Sequence, residues 1–174
     1  MRLAALLFDL GDTIMVEETE VKDAEGTTLR ADLVPGMADA LQEFKAAGHR
    51  LALVADSRPL TPENVLRQHG LYDLFEALAV SEAVGVSKPN PRIFRVALDA
   101  LAISQADFGR VVMVGNNLER DVAGANRLGL ISVFFHPNER RRTQPHADDE
   151  VPRYMVTSAP ELRELIAHLE EQEA

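Results

Sequence analysis

The chain has 174 residues, 46% of them hydrophobic and 26% charged, enough for one domain with a real core. Its 28 acidic against 18 basic residues give a net charge of −10, without the basic field that nucleic acid or anionic lipid requires. The absence of cysteine excludes disulfides and thiolate metal sites, and no apolar run approaches a membrane span, so a cytoplasmic protein with no nucleic-acid or membrane partner is expected.

The chain opens on MRLAALLF, too short an apolar run for a signal peptide and followed at once by acids. Residues 3–8 have the length of a strand, and the same continuous apolarity returns at 51–55, 77–80, 111–114 and 131–135. Continuous rather than alternating apolarity marks strands covered on both faces, as in a parallel sheet. After the first strand, residues 15–33 are polar and acidic (Glu17, Glu18, Glu20, Asp23, Glu25), and Glu25-Gly26 predicts a β-hairpin, read as a solvated flap. Helical patterns follow at 36–47, with Met37, Leu41 and Phe44 on one face, and at 62–69, 91–101 and 119–128. Pro35, Gly48, Gly70 and Gly129 punctuate them. Residues 137–152, PNERRRTQPHADDEVP, read as a mobile charged loop ahead of a short strand at 154–156. The last helix, 160–171, places Leu162, Leu165, Ile166 and Leu169 on one face. Strand and helix alternate, which predicts a single α/β domain over 1–174, a three-layer Rossmann-like fold. Its central parallel sheet is expected to have five core strands, with helices on both faces.

Open α/β sheets bind ligands beyond the carboxyl ends of their strands. Asp9 and Asp12 follow the first strand, Asp56 and Ser57 the second, Lys88 the third after a short loop, and Gly115 to Asp121 the fourth. Each is unremarkable alone: an Asp at a strand end is usually a cap or turn residue, and a loop lysine is usually solvated. Four polar clusters converging on one sheet edge predict a site.

The stretches FDLGDT, LVADS, VSKPNPRIF and VGNNLERDVAGANRLG, in that order, resemble the haloacid dehalogenase-like (HAD) hydrolase superfamily, most of whose members are phosphatases. The resemblance runs from residue 3 to about 169. It implies that Asp9 attacks phosphorus to form an aspartyl-phosphate later hydrolysed by water. It also implies a Mg2+ ion bound by Asp9, the main-chain carbonyl of Gly11, Asn116 and Asp121. Lys88 then neutralises the nucleophile and a phosphate oxygen, and backbone N–H groups around Leu10 and Asp56 contact the phosphate. Arg58 is the candidate substrate contact. The Arg140-Arg141-Arg142 triplet lies at the same edge but reads as solvated.

Three positions depart from the family pattern Asp-x-Asp-Gly-Thr and its partners. Gly11 stands where a second aspartate protonates the leaving group and activates water, and Asp12 takes the glycine's place. A one-residue shift on a tight turn re-aims the side chain, so Asp12 is expected to cap or brace the turn. Water, the substrate or a residue of the hairpin are left as proton sources. Ala55 replaces a hydroxyl residue that bonds phosphate; Ser57 could serve from a shifted position, but a turn cap before Pro59 is its ordinary role. Asn116 replaces an acid and weakens the metal site.

Three functions compete. The leading one is a Mg-dependent phosphomonoesterase acting on a phosphorylated small-molecule or larger substrate. The second is a degenerate relative that binds a phosphorylated ligand or protein partner without turnover. The third is carbon–halogen hydrolysis, disfavoured because the segment 15–33 is too short for a helical cap that encloses small substrates. An uncapped site is compatible with a homo-oligomer.

Overall fold

The computed structural model describes residues 2–172; of the single domain expected over 1–174, residues 1, 173 and 174 lie outside this range. Its framework is one parallel sheet with strand order β5-β4-β1-β6-β7-β8. The strands are β1 (Ala5–Phe8), β4 (Leu51–Ala55), β5 (Phe75–Val80), β6 (Val111–Gly115), β7 (Ile131–Phe135) and β8 (Tyr154–Val156). Six strands therefore pair where five core strands were expected, because β8 joins β7 in register, Val133 beside Tyr154 and Phe135 beside Val156. Its three residues carry too little apolar sequence to read as core, and pairing to β7 makes the strand.

β1 lies inside the sheet between β4 and β6, and all four of its residues are buried. Its side chains alternate between two cores. Leu6 and Phe8 join the apolar residues of α1 (Met37–Ala46), α2 (Leu60–Gln68) and α6 (Ala159–Gln172) on one face. Ala5 and Leu7 join those of α4 (Pro91–Ala100) and α5 (Ala123–Leu128) on the other. The continuous apolarity read in the sequence is the signature of this double coverage. A short helix, α3 (Ser81–Val84), follows β5. Among the described residues, no helix is long and apolar enough to cross a membrane.

The hairpin consists of β2 (Val21–Lys22) and β3 (Thr28–Arg30), antiparallel. Asp23 builds its turn: Oδ1 accepts the N–H groups of Glu25 and Thr27, and Gly26 takes the left-handed φ of +87°. Its strands are not a free flap. Thr28 N–H donates to Thr61 Oγ1 at 3.0 Å, Asn64 donates to Thr28 O at 2.9 Å, and Ala31 N–H donates to Gln68 Oε1 at 3.0 Å. Side chains of α2 thus satisfy the backbone of β3 as a neighbouring strand would. The loop 137–152 is likewise pinned from α5: Asn126 donates to Asp149 O at 2.8 Å, and Arg127 pairs with the Asp149 carboxylate at 2.7 Å.

Gly124 on α5 sets how closely that helix approaches α4. A Cβ there would overlap the Phe94 ring and lie 3.4 Å from Cα of Pro89. Gly124→Ala is expected to destabilise by about 1–3 kcal/mol. For a chain of this size, each kcal/mol lowers the melting temperature by about 2–4 °C. A thermal melt that does not move would show that the two helices separate without penalty.

Candidate active site

Asp9 follows β1, and its N–H donates to Val114 O at the end of β6 at 2.9 Å. Lys88 reaches it from the loop between α3 and α4. Nζ lies 2.6 Å from Asp9 Oδ1 and 2.7 Å from Asp121 Oδ1, and it donates to Val54 O at 2.8 Å. The lysine side chain is only 2% exposed, so the charge is held almost entirely by protein groups. Asp56, at the end of β4, delivers it: Oδ1 accepts Lys88 N–H at 2.9 Å, while Oδ2 pairs with Arg120 at 3.3 Å. Thr13, wholly buried, places its hydroxyl 3.5 Å from Asp9 Oδ2.

Asp121 arrives by a different device. The expected helix at 119–128 begins instead as a π-turn, Leu118–Val122, in which both Asp121 N–H and Val122 N–H donate to Asn117 O. Asn117 caps it, its Oδ1 accepting from Glu119 and Arg120 N–H. The widened turn lets the Asp121 side chain fold back so that Oδ2 accepts Asn117 N–H at 3.0 Å. Gly115 makes room: a Cβ there would overlap the Asp121 carboxylate.

Burial pushes the Lys88 ammonium toward neutrality, but the carboxylates of Asp121, Asp9 and Asp56 more than offset it, and its pKa lies above the ordinary lysine value. Burial pushes the Asp121 carboxyl up, the charge of Asp9 adds to this, and Lys88 opposes both. The three groups act as one charged unit.

A cavity of about 540 Å³ opens above this triad. It is lined by Asp9, Leu10, Gly11, Asp56, Ser57, Arg58, Lys88, Asn116 and Asp121, so every site residue expected from the sequence lines one space. They do not all present free groups to it. Ser57 N–H donates to Ser81 Oγ at 3.0 Å, and its hydroxyl donates to Arg58 O at 3.1 Å, which is the turn role rather than a phosphate contact. Arg58 is exposed beside the hairpin turn, its Nε 3.5 Å from where a Cβ on Gly26 would stand. Asn116 is buried with Nδ2 unpartnered. Among the described residues, no group of three or more His, Asp or Glu is placed to hold a metal ion.

Asp12 is fully buried with a left-handed φ of 48°. Oδ1 accepts Glu17 N–H at 3.0 Å, and Oδ2 faces Arg140 Nε at 3.0 Å. The arginine triplet, read as solvated, is ion-paired: Arg140 also meets Glu17 and Glu18, Arg141 meets Glu17, and Arg142 meets Glu119 and Glu150. Thr13, Asn117, Arg120 and Glu17 were not singled out in the sequence as site residues. Thr13, Asn117 and Arg120 lay within recognisable motifs without an assigned role, whereas Glu17 was read only as one acid of the flap.

Residues 3–129 match the family of haloacid dehalogenase-like hydrolases. The chain belongs to that family. The glyceraldehyde 3-phosphate phosphatase of Methanopyrus kandleri is 29% identical over 135 residues, 78% of this chain and 57% of its own length. The pyrimidine 5'-nucleotidase YjjG of Escherichia coli is 32% identical over 133 residues, 76% of this chain and 56% of its own. This haloacid dehalogenase-like chain thus spans little more than half the length of the phosphatases it matches. The HAD phosphatase from Thermococcus onnurineus shares the fold at a TM-score of 0.76 and 20% identity, over 95% of this chain and 98% of that one. The magnesium-bound HAD-hydrolase YfnB from Bacillus subtilis does so at a TM-score of 0.76 and 18% identity, over 95% and 99%.

Lys88→Met would leave the Asp9 and Asp121 carboxylates buried without their cation. Breaking such a pair costs about 3–5 kcal/mol. The deficit should shrink as pH falls, because protonating either acid relieves the uncompensated charge. Urea melts of both proteins at pH 8 and pH 5 would show this; a deficit independent of pH would refute the charge-balance account.

Proposed function

We propose that the chain is a Mg-dependent phosphomonoesterase that works through an aspartyl-phosphate on Asp9. The observation that carries this reading is the Lys88 ammonium held 2.6 Å from Asp9 and 2.7 Å from Asp121 at the floor of the cavity. A buried cation against a nucleophilic carboxylate prepares the place where a second anion must approach. The names of the two phosphatase relatives point to small phosphorylated metabolites, and a cavity of about 540 Å³ suits a substrate of that size. The hairpin within 15–33 stands at its mouth in place of a cap domain: Glu20, Lys22, Gly26 and Thr28 line the cavity.

In this reading Asp9 attacks phosphorus while Lys88 neutralises the nucleophile and one phosphate oxygen. The backbone N–H groups of Leu10 and Asp56 serve the remaining oxygens, and Asp56 keeps Lys88 in place through its main chain. For the metal, the donor set is two carboxylates (Asp9, Asp121), the Gly11 carbonyl and the Asn116 amide, all oxygen ligands of the kind Mg2+ prefers. Asn116 would offer Oδ1 to the ion, and its buried, unpartnered Nδ2 is a donor suited to a phosphate oxygen. Asp121 acts mainly by orientation, since one of its oxygens meets Lys88 and the other Asn117 N–H. Bound there, the ion would offset the repulsion between Asp9 and the phosphate.

The test is phosphate release from p-nitrophenyl phosphate and from a panel of phosphorylated metabolites. Activity should require magnesium, vanish on chelation and be abolished by Asp9→Asn. Wild type and Asp9→Asn turning over at equal rates would refute the assignment of the nucleophile. Asn116→Asp restores a full ligand charge and should lower the magnesium concentration for half-maximal activity by about tenfold. A titration curve that stays in place would remove Asn116 from the metal site.

A further inference from the structure

Position 11, two residues after the nucleophile, carries no side chain, yet the space above it is filled. A Cβ added to Gly11 would overlap Glu17 Oε1 and lie 3.0 Å from Cγ and Cδ of Glu17. Glu17 begins a short 3-10 turn, Glu17–Thr19, ahead of the hairpin, and its carboxylate lines the cavity together with Asp9 and Gly11. Its side chain is 22% exposed, unlike neighbouring Glu18 at 72%.

Three contacts hold it there. Asp12 Oδ1 accepts Glu17 N–H, which fixes the backbone. Asp12 Oδ2 fixes Arg140, whose Nη2 lies 3.1 Å from Glu17 Oε2. Arg141 Nη2 approaches Oε1 at 3.4 Å. A wholly buried aspartate thus anchors the glutamate twice, once through the main chain and once through a guanidinium. Ordering a glutamate side chain costs up to about 2 kcal/mol of rotamer freedom, and burying Asp12 adds desolvation. Such an arrangement is hard to account for if Glu17 were a solvated residue of an acidic flap. The other carboxylates at the cavity sit elsewhere: Asp56 pairs with Lys88 and Arg120, Glu20 with Thr28 and Lys22, and Glu82 is exposed on α3, whereas the three atoms nearest a Cβ at position 11 all belong to Glu17.

We infer that Glu17 is the acid–base residue of this site, its carboxylate filling the place left open by Gly11, with Asp12, Arg140 and Arg141 as its positioning residues. The inference rests on the phosphomonoesterase reading. In the transfer half of the reaction, the bond from Asp9 oxygen to phosphorus forms and the ester P–O bond breaks. The leaving oxygen takes a proton from the Glu17 carboxylic acid. In the hydrolytic half, water oxygen bonds to phosphorus and its proton passes to the Glu17 carboxylate. The bond between phosphorus and Asp9 breaks, and its electron pair returns to the Asp9 carboxylate. Inorganic phosphate leaves, and both acids are restored. The one-residue shift that removes an acid from position 11 also supplies Asp12, the anchor for its replacement.

The experiment uses the full chain, magnesium and p-nitrophenyl phosphate, whose leaving group departs without a proton. Glu17→Gln keeps the shape and one of the two arginine contacts but removes the base. Its steady-state rate should fall by about 10²–10⁴-fold. It should retain a rapid stoichiometric burst of p-nitrophenol and accumulate a phosphoprotein that hydroxylamine discharges. Arg140→Met should show a smaller loss in kcat with KM little changed. Gly11→Asp combined with Glu17→Ala should turn over faster than Glu17→Ala alone, because the new carboxylate enters the vacated space. Equal rates for these two would overturn the shared location. Glu17→Gln at or above the wild-type rate, with Asp9→Asn still silent, would overturn the inference and leave the phosphatase reading standing. A wild type that releases no phosphate from any substrate would overturn both.

Discussion

A buried ammonium between two buried carboxylates organises this molecule. Lys88 is the cation, and Asp9 and Asp121 come from the ends of β1 and the turn after β6, distant in sequence but adjacent in the sheet. Removing three charges from water is costly, and the cost is offset only when each charge has partners at short range. Almost every unusual local feature nearby supplies such a partner. Val54 gives Lys88 a carbonyl, Asn117 gives Asp121 an N–H, and Asp56 holds the lysine's own backbone.

The sheet makes those partners coincide. Its four inner strands are buried on both faces and carry no charged residue, so their charges can appear only beyond the strand ends, and all the parallel strands end on the same side. Small departures from regular structure then aim individual side chains. The π-turn at Leu118–Val122 advances Asp121 relative to a plain helix, and Gly115 leaves the volume its carboxylate occupies. Gly124 lets α5 lie against Phe94 and close to Pro89, which follows the lysine itself. Packing and chemistry meet at that contact.

The polar segments beside the sheet belong to the site more than their composition implies. The hairpin is acidic and short, but α2 side chains bond its backbone and its inner residues wall the cavity. The loop after β7 is rich in arginine, and it brings those charges to the acids that follow β1. Two segments of opposite charge, more than a hundred residues apart, pair beside the cavity that Asp9 lines.

The α/β class, the strand interiors, the helix faces and the convergence of Asp9, Asp56, Lys88 and the 115–121 segment were legible in the sequence, because apolar period and position after a strand are local properties. The family resemblance likewise implied that Asn116 and Asp121 lie near Asp9, and Glu25-Gly26 announced the hairpin. β8 was legible as a short strand at 154–156 but not as a sixth member of the sheet, since that place comes from pairing with β7. Asp12 was legible as a brace of its turn, but its pairing with Arg140 and the roles of Glu17 and Arg140 had no sequence signal of their own. Each is an ordinary charged residue in a charged segment, and a charge has meaning only through what faces it. Which opposite charges meet is decided when β1, the hairpin entrance and the loop after β7 come together at one edge, a matter of three-dimensional distance that no local pattern encodes.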